Sequence, residues 1–278
     1  MPLGMDFEIV GPLAGGEVGA TEVRDQDGRR LVLKRWPGGD EEGAALRAGI
    51  DLVERLRSAG YPAPRYVLAG SFDGQVMAAQ TWVDGRQRED LDEAMVDRLT
   101  ELALRHGGVE VPASDAFGAW LTGSLLEGCD GYCVHEPLRT HSERTRALLD
   151  RIHVIGARTA GRIEPSTGVV HRDFHHRNVL WQGDEVAAVI DWEGVGIGDP
   201  AFDLVTLAFG LSVSTGPPRA RELPWRPVER SRPPELLQAY AAHMALRQVD
   251  WSIRHRTPEH VEHWLRVGSA ALDRCEGV

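Results

Sequence analysis

After Val83-Asp84-Gly85 the character of this chain changes from strands around one helix to helices. Before that point the text is extended. Val18 to Val23 and Leu31 to Lys34 are strand-like runs joined by Asp27-Gly28, a dipeptide suited to positive φ. Leu46, Ile50, Val53 and Leu56 then recur at helical spacing between Asp40 and Ala59, and Gly60, Pro62 and Pro64 stop that helix. Tyr66 to Ala69 and Gln75 to Val83 return to strand character around a turn at Asp73-Gly74. The segment therefore reads strand, strand, helix, strand, strand. Beyond it, Asp90 with Glu93 and Thr140 with Glu143 have the spacing of helix-capping boxes. Each stands beside an apolar stripe, Leu91, Met95, Leu99 and Leu102 in one case and Leu148, Ile152 and Ile155 in the other. Leu236 to Leu246 and Val261 to Leu272 read as two more helices. The expectation is an α+β chain, with residues 1–83 as a small N-terminal lobe of antiparallel sheet plus helix. A hinge follows near 80–85, and 84–278 form a larger, mostly helical C-terminal lobe.

Residues 216–234 carry six prolines and five arginines, which predicts a loop without regular structure. No run approaches the length of apolar chain that spans a bilayer, and the N-terminal text lacks the basic and apolar regions of a signal peptide. Cys129, Cys133 and Cys275 are too few for a disulfide framework and read as reduced thiols of a cytoplasmic protein. The net charge of −11 repels phosphate backbones and anionic lipid, so neither nucleic acid nor membrane is an expected partner. The same field attracts a cationic small molecule, although acidic charge also serves plain solubility.

The stretch VVHRDFHHRNVLW, residues 169–181, holds the densest chemistry. Its spacing is HxDx4N between apolar flanks, and a second apolar run, Val186 to Ile190, delivers Asp191 at its end. Two carboxylates and an amide on neighbouring loops suit phosphoryl transfer. Mg²⁺ takes oxygen ligands and is usually held by one or two carboxylates plus substrate phosphates, a share that Asn178 and Asp191 can supply. Asp173 is then free to orient the attacking hydroxyl and accept its proton. Lys34 is the candidate cation for the nucleotide phosphates, since Arg35 should point to the other face of the strand. Upstream, the turn from Leu13 to Gly19, with Gly15 and Gly16, offers backbone amides to cover them. The carboxylate partner of Lys34 stays open among Glu42, Asp51 and Glu54. His171 reads as a core histidine bonded to the loop backbone, and Asp203 as a cap for the helix begun by Asp199-Pro200 and a brace for the loop. A competing reading makes His175 and His176, with Asp173, a zinc or iron site, but adjacent residues point different ways. Trp251 and Trp264 read as core side chains before a stacking platform.

HRDFHHRN, VIDWE and GDPAFDL together resemble the aminoglycoside phosphotransferase family of kinase-like enzymes, and DWEGVGIGDP looks like its viomycin and capreomycin phosphotransferase type. The resemblance implies a protein-kinase-like two-lobe fold. It implies Asp173 as catalytic base, Asn178 and Asp191 as magnesium ligands, and Lys34 with Gly15 and Gly16 on the phosphates. Gln80, Trp82 and Val83 would form the interlobe hinge that meets adenine, with His171 and Asp203 supporting the loop. The implied activity is transfer of the γ-phosphoryl group of ATP, with Mg²⁺, to a hydroxyl of a small, cationic antibiotic, which inactivates it. GTP as donor, another acceptor alcohol (a nucleoside antibiotic, a macrolide, choline or homoserine) and a non-catalytic kinase-like binding module are the alternatives. The loop departs from the family's usual HGDLHPGN at Arg172, His176 and Arg177.

Overall fold

Residues 7–13 and 19–276 are described by the computed structural model. They form two units: the chain to Arg88 joined by Arg177–Gly196, and Glu89–His176 joined by the chain from Ile197.

In the first unit, strands β1 (Glu8–Leu13), β2 (Ala20–Arg24) and β3 (Arg30–Pro37) precede helix α1 (Asp40–Ser58), and β4 (Tyr66–Phe72) and β5 (Gln75–Thr81) follow it. The strands pair antiparallel in the order β1-β2-β3-β5-β4. The β2–β3 hairpin turns at Gly28 with φ of 76°, and the β4–β5 hairpin at Asp73 and Gly74, also with positive φ. Strand alternation puts Leu31 and Leu33 with Val23, Met77 and Ala79 on one face, while Val76 and Ala78 pack against Leu46 of α1 on the other. Lys34, even-numbered like Val76 and opposite Ala78, belongs to the helix-covered face, and Arg35 is exposed. Gly43 lets α1 lie on β4, because a Cβ there would stand 2.6 Å from Ser71 Cβ. The helix ends at Gly60, φ 79°, with Tyr61 N donating to Leu56 O at 3.0 Å. Strand β1 is an addition to the sequence reading. Gly11 and Pro12 interrupt its pattern, and an edge position accommodates a proline that lacks an N–H.

The second unit begins with α2 (Glu93–Gly107), α3 (Ala116–Leu126), α4 (His135–His141), α5 (Glu143–Thr159) and the short β6 (Gly168–Val170). Both expected caps are displaced. Asp92, not Asp90, accepts from Met95 N at 2.9 Å, and Ser142 with Thr145 caps α5. Thr140 is spent inside the last turn of α4, where its hydroxyl donates to Glu136 O. The chain re-enters the first unit as an antiparallel hairpin, β7 (Val179–Gln182) and β8 (Glu185–Val189). It then returns to the second unit as α6 (Ala201–Leu211), a 3-10 turn (Pro218–Glu222), α7 (Trp225–Ser231), α8 (Pro234–His255) and α9 (Pro258–Glu276).

The proline-rich segment 216–234 is thus not irregular throughout, which corrects the sequence expectation. Pro218 opens the 3-10 turn, Pro227 falls in the first turn of α7, and Pro234 opens α8, positions where a helix has no use for the missing N–H. Phe117, Phe202 and Tyr240 meet edge to face at the centre of this unit. Trp264 is buried on Phe209 with planes 8° apart, and Trp251 lies on His255 at 4.0 Å. Among the described residues no helix is long and apolar enough to cross a membrane.

Candidate active site

Two clusters of functional side chains form, one in each unit. The first is built on β3 and the β7–β8 hairpin. Asn178 O accepts from Ile190 N at 2.9 Å and Val179 faces Val189, so Asn178 and Asp191 lie at the same end of that hairpin. Asp191 has φ of 67°, a left-handed conformation sparsely used by residues other than glycine and a form of strain typical of functional sites. The neighbouring Trp192 supplies the anchor that holds it. Its ring is fully buried, donates to Val189 O at 2.7 Å and meets Tyr61 edge to face.

Lys34 Nζ lies 2.6 Å from Asp191 Oδ1 and 3.0 Å from Glu193 Oε2, with Lys34 and Glu193 side chains about equally buried at 15% and 16% exposure. Tyr66 donates to the other oxygen of Glu193 at 3.2 Å. Burial alone would lower the Lys34 pKa, but the charges of Glu193 and Asp191 outweigh it and raise the value above that of a free lysine. Burial, and then the same two carboxylates, push the Tyr66 phenol well above its ordinary range. The partners of Lys34 thus come from the DWE run. Of the carboxylates on α1, Glu42 accepts from Gly39 N and Glu54 pairs with Arg57.

Of the expected hinge residues, Gln80 is buried at the end of β5 and its Oε1 has no hydrogen-bond partner among the described residues. Trp82 lies under the Arg30 guanidinium at 3.7 Å and donates to Asp84. Val83 follows in the connection after β5, outside any regular element. Gly15 and Gly16 lie outside the described residues.

The second cluster surrounds Asp173, which follows β6. Asp203, fully buried in the first turn of α6, accepts from His171 N at 2.6 Å, from Arg172 N at 2.9 Å and from His106 Nε2 at 2.8 Å. His171, also fully buried, accepts from Asp173 N at 3.3 Å. These bonds hold Arg172 at φ 67° and turn the loop so that the Asp173 side chain stays one-third exposed. Arg247 of α8 places Nη2 3.0 Å from Asp173 Oδ1 and donates from Nη1 to Arg172 O at 3.1 Å, while His175 Nε2 is 3.5 Å from the same carboxylate oxygen. His176 turns away to Glu89 at 3.0 Å. Pro200 is the N-cap of α6, which has no side-chain cap, so Asp203 braces the loop without capping that helix, while Asp199 accepts from Ala201 N and takes Arg232 and Tyr240.

Glu193, Tyr66, His106 and Arg247 belong to these clusters without an assigned role in the sequence. Glu193 stood in the quoted DWE run and could have been weighed as a partner for Lys34. Arg247 carried no signal, because nothing in a helix marks which arginine meets a loop 74 positions upstream.

Asn178 and Asp191 offer an amide oxygen and a carboxylate, both hard oxygen donors that fit Mg²⁺ with phosphate completing its shell. Among the described residues no group of three or more His, Cys, Asp or Glu could hold a metal by itself. With an amide oxygen and a carboxylate and neither imidazole nor thiolate, Asn178 and Asp191 are donors of the type that holds a metal brought with nucleotide phosphates.

The model of the phosphotransferase enzyme family, APH, matches residues 10–251. Viomycin phosphotransferase of Streptomyces vinaceus is 38% identical over 197 residues, a span that covers 64% of this chain and 63% of that enzyme. Among solved structures, aminoglycoside phosphotransferase APH(4)-Ia in ternary complex with AMP-PNP and hygromycin B superposes with a TM-score of 0.67 at 18% identity, covering 98% of this chain and 96% of that one. The amicoumacin kinase hAmiN in complex with AMP-PNP, Ca²⁺ and its ligand superposes with a TM-score of 0.59 at 14% identity, covering 99% and 89%. At such identities the likeness is one of fold, and it is the kinase-like α+β fold expected from the motifs.

Proposed function

Because the chain belongs to the phosphotransferase enzyme family, we propose that it transfers the γ-phosphoryl group of ATP to a hydroxyl of a small-molecule antibiotic in the cytoplasm and so inactivates it. The observation that carries this reading is the cluster of Lys34, Asp191 and Glu193 at the strained turn after β8. A buried lysine kept charged by two carboxylates is a ready cation for nucleotide phosphates, and Asp191 with Asn178 would hold Mg²⁺ beside them. The metal would neutralise charge on the β- and γ-phosphates. Gln80, whose Oε1 is an unanswered acceptor, with Trp82 and Val83 would receive the adenine, and Gly15 and Gly16 would cover the phosphates.

Asp173 would orient the acceptor hydroxyl and take its proton as oxygen attacks phosphorus. The bond from the γ-phosphorus to the bridging oxygen breaks, and ADP leaves with that electron pair. Asp203 and His171 do not touch the reacting atoms; they hold the loop that carries the base.

For the acceptor, a relative matched in sequence is named for viomycin, and of the neighbours in structure one holds hygromycin B and another is named an amicoumacin kinase. We place a basic peptide antibiotic of the viomycin type first and an aminoglycoside second, in keeping with the net charge of −11. The test is mass spectrometry of viomycin, hygromycin B and kanamycin after incubation with the protein and Mg-ATP or Mg-GTP. One added phosphoryl group on one of them, lost with Asp173→Ala, is the expected result. No gain on any antibiotic, with ADP formed on choline or homoserine instead, would move the protein to metabolite kinases.

A further inference from the structure

A candidate base should be open to the hydroxyl it deprotonates, yet Asp173 Oδ1 is occupied. The Arg247 guanidinium bridges it and the carbonyl of Arg172, at 3.0 and 3.1 Å, and its plane sits over Tyr132 at 5.4 Å. Arg172 adds a second guanidinium over Trp120 at 4.7 Å, and burial lowers its pKa below that of a free arginine. His243, buried behind both arginines, stays neutral with a pKa of about 3, because desolvation and then the two positive charges oppose its protonation. Two guanidiniums therefore stand beside the loop of Asp173, one paired with that carboxylate and the other next to it in the chain, with the Asp203 carboxylate bonded to the loop backbone.

We propose that Arg247 is a positioning residue that holds Asp173 out of action until an acceptor displaces it, and thereby keeps water from serving as acceptor. This rests on the phosphotransferase reading of the site. A carboxylate that accepts a hydrogen bond from a fixed cation is a weaker base than a free one, and the lone pair that the guanidinium holds is not offered to an incoming hydroxyl. Without this restraint, water can take the acceptor's place. Its oxygen attacks the γ-phosphorus of ATP, the bond to the bridging oxygen breaks, ADP leaves with the electron pair and the water proton passes to Asp173. The sum is ATP and water to ADP, phosphate and a proton. A large acceptor that packs on Tyr132 and Trp120 can draw the guanidinium away, whereas water cannot.

The experiment measures ADP release from Mg-ATP with no acceptor present. Arg247→Ala should raise it about three- to tenfold, since a carboxylate freed of its cationic partner is the stronger base. Ethylguanidinium added to Arg247→Ala should restore the low rate, Arg247→Lys should keep most of it, and Asp173→Asn in the Arg247→Ala background should abolish the gain. Arg247→Gln, which retains the stem over Tyr132, replaces Arg247→Ala if the latter melts below the assay temperature. An unchanged or lowered rate in a folded Arg247 variant that Mg-ATP still stabilises in thermal melts overturns the restraint and leaves the phosphotransferase reading standing. Absence of stabilisation by Mg-ATP in the wild-type protein overturns both. Rescue by ethylguanidinium separates a role in charge from a role in packing.

Discussion

Replacing Asp203 should loosen the loop that carries Asp173. Its two carboxylate oxygens accept from two backbone N–H groups and one imidazole, all inside the helical unit. The carboxylate is fully buried, so water does not take over when it is removed. A buried donor left without a partner costs about 1–3 kcal/mol, and Asp203→Ala leaves the N–H groups of His171 and Arg172 in that state. With the imidazole of His106 added, the loss comes to about 3–5 kcal/mol. Asp203→Asn should cost less. Its one remaining oxygen can occupy the place of Oδ2 and serve His171 and His106, while the amide group then faces the Arg172 N–H donor to donor, for about 1–3 kcal/mol. Urea unfolding followed by tryptophan fluorescence measures both variants, and ADP release on the best acceptor measures the loop. Turnover should fall in both variants while stabilisation by Mg-ATP persists, because Lys34 and Asp191 stand on β3 and after β8 and do not hang from this loop. Asp203→Ala within about 1 kcal/mol of wild type would show that the three bonds are not the brace described here.

Asp173→Ala should lower turnover about 10²- to 10⁴-fold, the usual worth of a positioned base, with the Mg-ATP melting shift retained. Asp191→Ala should remove that shift. Raising the pH should destabilise the first unit. Lys34 and Tyr66 both have folded pKa values above their unfolded ones, so they contribute stability that is full below pH about 10 and is lost as pH climbs through the folded values. Urea midpoints recorded from pH 7 upward should fall beyond that point, and fall less in Tyr66→Phe; a flat profile to pH about 11 would contradict the assignment. Gly43→Ala should cost about 1–3 kcal/mol, because its methyl group would press on Ser71 where α1 crosses β4, and a melting temperature equal to wild type would place the helix differently.

What the sequence made legible followed from local rules. The β2–β3 and β4–β5 hairpins lay where Asp27-Gly28 and Asp73-Gly74 allow positive φ, and α1 ended where Gly60 allows a left-handed cap. The spacing of HxDx4N, an apolar strand and Asp191 picked out the residues that lie on β6, β7, β8 and the turns beside them. Local rules failed where two neighbouring residues compete for one task. Asp90 and Asp92 both suit an N-cap, and only the start of α2 decides between them. Prolines forbid a helix interior but favour a first turn, so the composition of 216–234 could not by itself exclude α7. The ion pairs were beyond reach for a different reason. Lys34 lies 157 positions from Asp191 and Arg247 lies 74 from Asp173, and no period of strand or helix encodes such distances.

Net charge is a coarse guide to an acceptor for the same reason. A sum of −11 favours the approach of a cation from afar, since the field at long range follows the total. At contact distance the nearest groups govern, and beside Asp173 these are Arg247, His175 and Arg172. An ammonium group about 6 Å from one guanidinium meets a repulsion of about 3 kcal/mol at an effective dielectric constant of about 20. The Asp173 carboxylate offsets this repulsion for an ammonium that lies as near to it, so in a cationic acceptor the amines that lie nearer the guanidiniums than the carboxylate are the disfavoured ones. Comparing antibiotics that carry an amine next to the phosphorylated hydroxyl with ones that carry an amide there tests this directly. The amide class should be preferred by the wild-type protein, and Arg247→Ala should narrow the preference. Equal kcat/KM for both classes in wild type would show that the arginines do not reach the acceptor's neighbouring groups.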